Sequence, residues 1–157
     1  MKITADLSKG ALLINGAVFA VSCKVRTLRD GTRRSAEVVR SIPDNLPYDP
    51  RPFPKGLWNV TGIEWQRDKG FDPRTYGPVK IRTDAWQEVN VWKLDADGDY
   101  LRETGLLVRD EGYLLHYSLS ATTLGCIRLS NPGDAEAIGA TIERVMAQKE
   151  SVQLEVI

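Results

Sequence analysis

At 157 residues the chain is long enough for one domain, spanning 1–157, whose core needs no metal or disulfide to hold it. Lysine plus arginine match aspartate plus glutamate at 21 each, which excludes a net field that would draw the chain onto nucleic acid or an anionic membrane. A hydrophobic content of 42% excludes a disordered chain.

The opening stretch MKITADLSKGALLINGAVF is interrupted by Asp6, Ser8, Lys9 and Asn15, so it reads as neither a Sec signal peptide nor a membrane span. Within it, Asn15-Gly16 is a dipeptide that accepts positive φ at both centres of a type I′ turn, and its apolar flanks predict a hairpin. The basic run at Arg33 and Arg34 reads as a solvated loop. From Ser41 to Gly56 the string SIPDNLPYDPRPFPKG is too rich in proline for a helix or a central strand, and it predicts a structured loop or flap. LWNVTGIEW and VNVWKL follow as strands, and GYLLHYSL is a third that carries His116 near its C-terminal end. Trp58 and Trp65 belong to the first of these, and strand tryptophans are core residues before they are a saccharide or peptide platform.

One helix is the clearest element. Asn131 is a good N-cap and Pro132 suits the first helical position, after which Ala135, Ile138, Ile142 and Val145 form an apolar stripe to about Gln148. VQLEVI closes the chain as an edge or central strand. Several strands with one late helix predict a β-rich α+β domain, with the cysteine on a loop between a strand and the helix.

Two cysteines, Cys23 and Cys126, cannot build a disulfide framework, and a single histidine without a Cys-x-x-Cys pair cannot build an ordinary zinc site; no metal or cofactor is expected. Cys23 reads as a small buried hydrophobe. His116 and Cys126 share the stretch HYSLSATTLGCIRLSN. Thiol catalysis needs a thiolate, which an adjacent imidazole supplies by taking the proton, and a third group must fix which ring nitrogen faces the sulfur. Gly125 lets the chain approach closely, and its amide together with that of Cys126 could face an oxyanion. The residue types alone leave open the plainer reading, a buried thiol near an incidental imidazole.

The order of residues goes further, because Thr123, Leu124, Gly125, Cys126, Ile127 and Arg128, with His116 upstream, resemble the signature of the L,D-transpeptidase catalytic domain (YkuD type). FPKGLWNV resembles that family's Pro-x-Gly segment through Pro54 and Gly56; YGPVKI, from Tyr76, resembles a second segment; and ETGLLVRDEGYLLH sits where members have a strand running into the histidine. The resemblance spans roughly 50 to 135. Tyr117 rather than glycine follows His116, and nine residues separate His116 from Cys126, a short loop similar to that of a compact subgroup that includes interbacterial toxins.

The resemblance implies a mixed β-sheet or sandwich with one long helix after the cysteine loop, and peptidoglycan chemistry. Cys126 would be the nucleophile on a tetrapeptide stem and His116 the base and then the acid. Gly125 would help to hold the oxyanion, and the main chain of Tyr117 would orient the imidazole. Arg128 would either anchor a substrate carboxylate or brace the loop, with Thr123 and Leu124 lining the site. An amine acceptor gives cross-linking or D-amino-acid exchange, water gives an L,D-carboxypeptidase, and loss of turnover gives a wall-binding module. The stem peptide is the expected partner, with no nucleic acid and no membrane span, and the place of action is the periplasm or cell wall. An antibacterial effector of this kind would also meet a secretion machine, such as type VI, and an immunity protein.

Overall fold

Alternation of apolar and polar residues builds most of this protein. The computed structural model describes residues 1–25, 41–42, 46–66, 76–97 and 101–157; the basic run at Arg33 and Arg34 lies outside them. Strand β1 (Lys2–Asp6) turns Ile3 and Ala5 into the core, and β2 (Ala11–Ile14) does the same with Leu12 and Ile14. The predicted hairpin joins β2 to β3 (Ala17–Ser22), and Asn15 and Gly16 both take positive φ, at 49° and 83°, as a type I′ turn requires. Within the proline-rich stretch, of which residues 43–45 lie outside those described, β4 (Ser41–Ile42) pairs with β5 (Leu46–Pro47), and Tyr48 bridges to Val91.

Strand β6 (Gly56–Trp65) pairs with β7 (Val79–Thr83), which buries Val79 and Ile81 and turns Lys80 and Arg82 the other way. Strands β8 (Trp86–Leu94) and β9 (Leu101–Glu111) pair with each other as a long antiparallel ribbon, and the bridge from Tyr48 joins β8 at Val91. Gly112 and Tyr113 then lead into β10 (Leu114–Tyr117). The strand expected to run unbroken into the histidine is therefore two elements: β9 stays in the ribbon and β10 belongs to the main ladder.

After Cys126 comes β11 (Ile127–Leu129), then α1 (Pro132–Ala147), then β12 (Gln153–Val156). The order β1-β12-β6-β7-β10-β11-β3-β2 closes on itself, so the mixed sheet is a closed barrel and not an open sandwich. The parallel pairs β1 with β12 and β10 with β11 make it mixed. Strand β12, between β1 and β6, is central.

The helix begins as its sequence predicts: the Asn131 side chain accepts from the Gly133 amide at 2.8 Å, and Pro132 occupies the first turn. Ala135, Ile138 and Ile142 join the core cluster with Val79, Leu115, Ile127 and Leu154, and the helix packs against β6, β7, β10 and β11. Each buried Val, Leu or Ile side chain among these contributes about 1.5–3 kcal/mol relative to exposure. Trp58 and Trp65 lie half-buried against this cluster, at its margin and not within it, with indole N–H groups donating to the Pro54 carbonyl and to Glu143. No helix among the described residues is long and apolar enough to cross a membrane.

Candidate active site

The site lies where β10 and β11 run in parallel. Leu115 pairs with Ile127, His116 with Arg128 and Tyr117 with Leu129. Leu115, Tyr117, Ile127 and Leu129 belong to the core cluster, so the alternation of each strand puts His116 and Arg128 together on the opposite face. Cys126 stands immediately before β11, two residues ahead of His116 in register. The sequence predicts a loop from the cysteine straight into the helix. The structure inserts β11 instead, because Ile127 and Leu129 flank Arg128 as a minimal alternating strand.

His116 is 5% exposed. Its Nδ1 lies 2.9 Å from the Tyr117 carbonyl oxygen, the main-chain contact expected of that position. A carbonyl only accepts, so Nδ1 carries the proton and Nε2 is the acceptor nitrogen. Burial pushes the imidazole pKa below its ordinary 6.5, the hydrogen bond to Tyr117 opposes this, and the positive charges of Lys80 and Arg128 push it down further. At neutral pH the ring is a neutral base in a fixed tautomer.

Arg128 donates from Nε to Ser22 Oγ at 3.1 Å and from one terminal nitrogen to the Ser118 carbonyl at 3.0 Å. These bonds tie β11 to β3 and to the segment after β10, the geometry of a brace. Thr123 also serves the loop: its amide donates to Lys24 O at 2.9 Å and its hydroxyl accepts the Gly125 amide at 3.2 Å. The Gly125 amide, expected to face an oxyanion, is thus engaged within the loop. Leu124 is half-buried between these two residues.

Gly125 has φ +124°, and a Cβ there would sit 2.6 Å from the Tyr113 ring and 2.7 Å from the Arg51 carbonyl. Only glycine fits. Tyr113 is held in turn: its hydroxyl donates to Asp110 at 2.9 Å and accepts from Gln87 at 2.8 Å, and its ring meets Phe53 edge-on. The ribbon thereby buttresses the cysteine turn from behind.

Sequence reasoning did not nominate three neighbours of this site. The Tyr76 ring lies 5.4 Å from the His116 ring, with the Lys80 ammonium 4.0 Å above it. Lys80 faces His116 across the β7–β10 ladder, a pairing between segments distant in sequence. Cys23 is half-buried and hydrogen-bonded, not merely a small hydrophobe: its sulfur lies 3.2 Å from the Gly125 carbonyl and accepts the Phe53 amide at 3.2 Å. Neither cysteine is in a disulfide.

Among known proteins, no family model, no curated protein and no solved structure matches this chain.

Proposed function

We propose that this protein is a cysteine acyltransferase of the L,D-transpeptidase type, acting on peptidoglycan tetrapeptide stems. The observation that carries the reading is His116. It is buried, neutral and fixed by the Tyr117 carbonyl with Nε2 as acceptor, on the strand beside the one that Cys126 precedes. A base held in one tautomer next to a thiol is what thioester chemistry needs. The motif resemblance in the Cys126 segment supplies the substrate class.

In this reading Nε2 of His116 takes the Cys126 proton as the sulfur attacks the carbonyl between meso-diaminopimelate and the terminal D-alanine. The C–N bond breaks, the proton passes from the imidazole to the departing amine, and free D-alanine leaves a thioester on Cys126. An acceptor amine then attacks the thioester carbonyl, yields its proton to His116 and restores the thiol. The reaction belongs to the periplasm or wall, and an antibacterial effector delivered by a secretion system would work there.

A second reading, a module that binds wall without turnover, is favoured by one observation: the Gly125 amide is already given to Thr123 Oγ1. Incubation with purified disaccharide-tetrapeptide, followed by mass spectrometry of protein and muropeptides, separates the two. Loss of D-alanine with an acyl adduct on Cys126, absent in Cys126→Ala, is the expected result. Retained binding with neither product nor adduct would establish the module. Hydrolysed tripeptide as the sole product would make the enzyme a carboxypeptidase.

A further inference from the structure

We propose that Cys23 is a positioning residue for the transpeptidase-type reaction inferred above: its thiol holds the Gly125 carbonyl and thereby sets the direction in which Cys126 is presented. The inference rests on that reading for its functional half and on geometry for the rest.

The Gly125 carbonyl belongs to the peptide unit that ends at the nitrogen of Cys126. Such a unit is planar, so fixing its oxygen fixes the plane from which the Cα and side chain of Cys126 depart. Two contacts fix the oxygen through Cys23. The Phe53 amide donates to Cys23 Sγ at 3.2 Å, and Sγ lies 3.2 Å from Gly125 O. The sulfur is thus acceptor to one backbone group and donor to another.

Donation requires that the thiol keep its proton, and it does. The Cys23 pKa is pushed up to about 11, chiefly by burial, with the Phe53 hydrogen bond opposing it and the neighbouring charge of Cys126 adding to it. A thiolate at this spot would repel both the carbonyl oxygen and an ionised Cys126. Because Cys23 stays neutral near pH 7, it has no charge with which to alter the ionisation of Cys126. Its influence is on direction, not on acidity.

The other side of the turn is already occupied, since the Tyr113 ring and the Arg51 carbonyl close on Gly125. Cys23 completes a clamp on a residue with φ +124°, a conformation that has no local preference to hold it elsewhere in the absence of such contacts. An open cleft of about 880 Å³ adjoins Cys23, together with Arg51 and Phe53.

The test compares Cys23→Ala, which deletes both contacts, with Cys23→Ser, which keeps a donor and an acceptor. In the labelled full chain, NMR reads the Gly125 carbonyl shift and the order parameter of the Cys126 amide. Single-turnover kinetics with disaccharide-tetrapeptide reads acylation, KM and the pH profile of Cys126 alkylation. The expected result for Cys23→Ala is a displaced carbonyl shift, a lowered order parameter and acylation slower by roughly 10- to 100-fold, with KM and the alkylation midpoint unchanged. Cys23→Ser should recover most of it.

An unchanged carbonyl shift and order parameter in Cys23→Ala overturns the proposal whatever the kinetics show. So does wild-type acylation in Cys23→Ala, or equal loss in both variants with equal loss of melting temperature. Failure of the wild-type chain to form any adduct instead overturns the acyltransferase reading, and the NMR arm still decides whether Cys23 holds the peptide.

Discussion

On its inner face the β10–β11 ladder carries Leu115, Tyr117, Ile127 and Leu129, all in the core cluster; on its outer face the same strands carry His116 and Arg128. The inner residues need only be apolar and of the right volume, and their burial sets the register. The outer residues depend on that register, because His116 lies beside Arg128, and two residues from Cys126, only while Leu115 stays opposite Ile127. A one-residue slip would turn the imidazole into the core. The face that holds the geometry is thus not the face that uses it, and the two should fail in different ways when mutated.

The sharpest way to break this division is Ile127→Ala. Ile127 is fully buried, and emptying its site should lower stability by about 2–5 kcal/mol. For a domain of this size that is roughly 2–4 °C of Tm per kcal/mol, read by thermal or urea unfolding. Turnover of the fraction still folded should remain close to wild type. A variant with normal stability and no turnover would place Ile127 on the working side of the ladder and undo the comparison.

Next in size is His116→Ala, which should leave the fold intact and cost on the order of 10²-fold in turnover. Alkylation of Cys126 by a small electrophile should slow in parallel. An unchanged alkylation rate across neutral pH would show that the imidazole does not act on this sulfur.

Much of this arrangement was legible in the residues. The Asn15-Gly16 turn, the strand around His116 and the helix from Asn131 all follow from local preferences, and local preferences survive into the structure. Long-range pairing was not legible. Nothing in ETGLLVRDEGYLLH announces that β9 leaves the barrel for the ribbon while β10 stays, since both halves favour extended chain equally. Three residues, Ile127–Leu129, are too few for periodicity to declare a strand, so β11 was hidden inside a loop. Cys23 was missed for the same reason: its partner is the Gly125 carbonyl 102 residues away, and a backbone acceptor leaves no trace in side-chain identity.

Arg128→Lys should have a smaller effect, and it asks whether the outer face is itself divided. Lysine keeps the charge but cannot reach Ser22 and the Ser118 carbonyl together, so at least one hydrogen bond is lost. A cost of about 1–2 kcal/mol in stability, with KM unchanged, is the outcome expected of a brace. Raised KM at an unchanged melting temperature would assign Arg128 to a substrate carboxylate instead. Melting and saturation kinetics on one preparation decide the matter.

The smallest effect separates His116 from every other group on the ladder by its titration. Its folded-state pKa is depressed below 6.5, chiefly by burial and then by Lys80 and Arg128, while in the unfolded chain it returns to the ordinary value. Below pH 6.5 the unfolded chain therefore takes up a proton that the folded chain refuses. Protons favour unfolding there, so this stability is complete above pH 6.5 and is lost as the pH falls towards the folded pKa. The slope cannot exceed about 1.4 kcal/mol per pH unit for one group. His116→Gln cannot titrate, so wild type should lose more melting temperature than the variant between pH 7 and pH 5.5. Turnover should hold through that range and fall only around the lower folded-state pKa, where a protonated Nε2 no longer accepts the thiol proton. Parallel acid limbs of stability in the two proteins would mean that His116 is not held neutral by its burial, and the outer face would then owe its chemistry to something other than the packing beneath it.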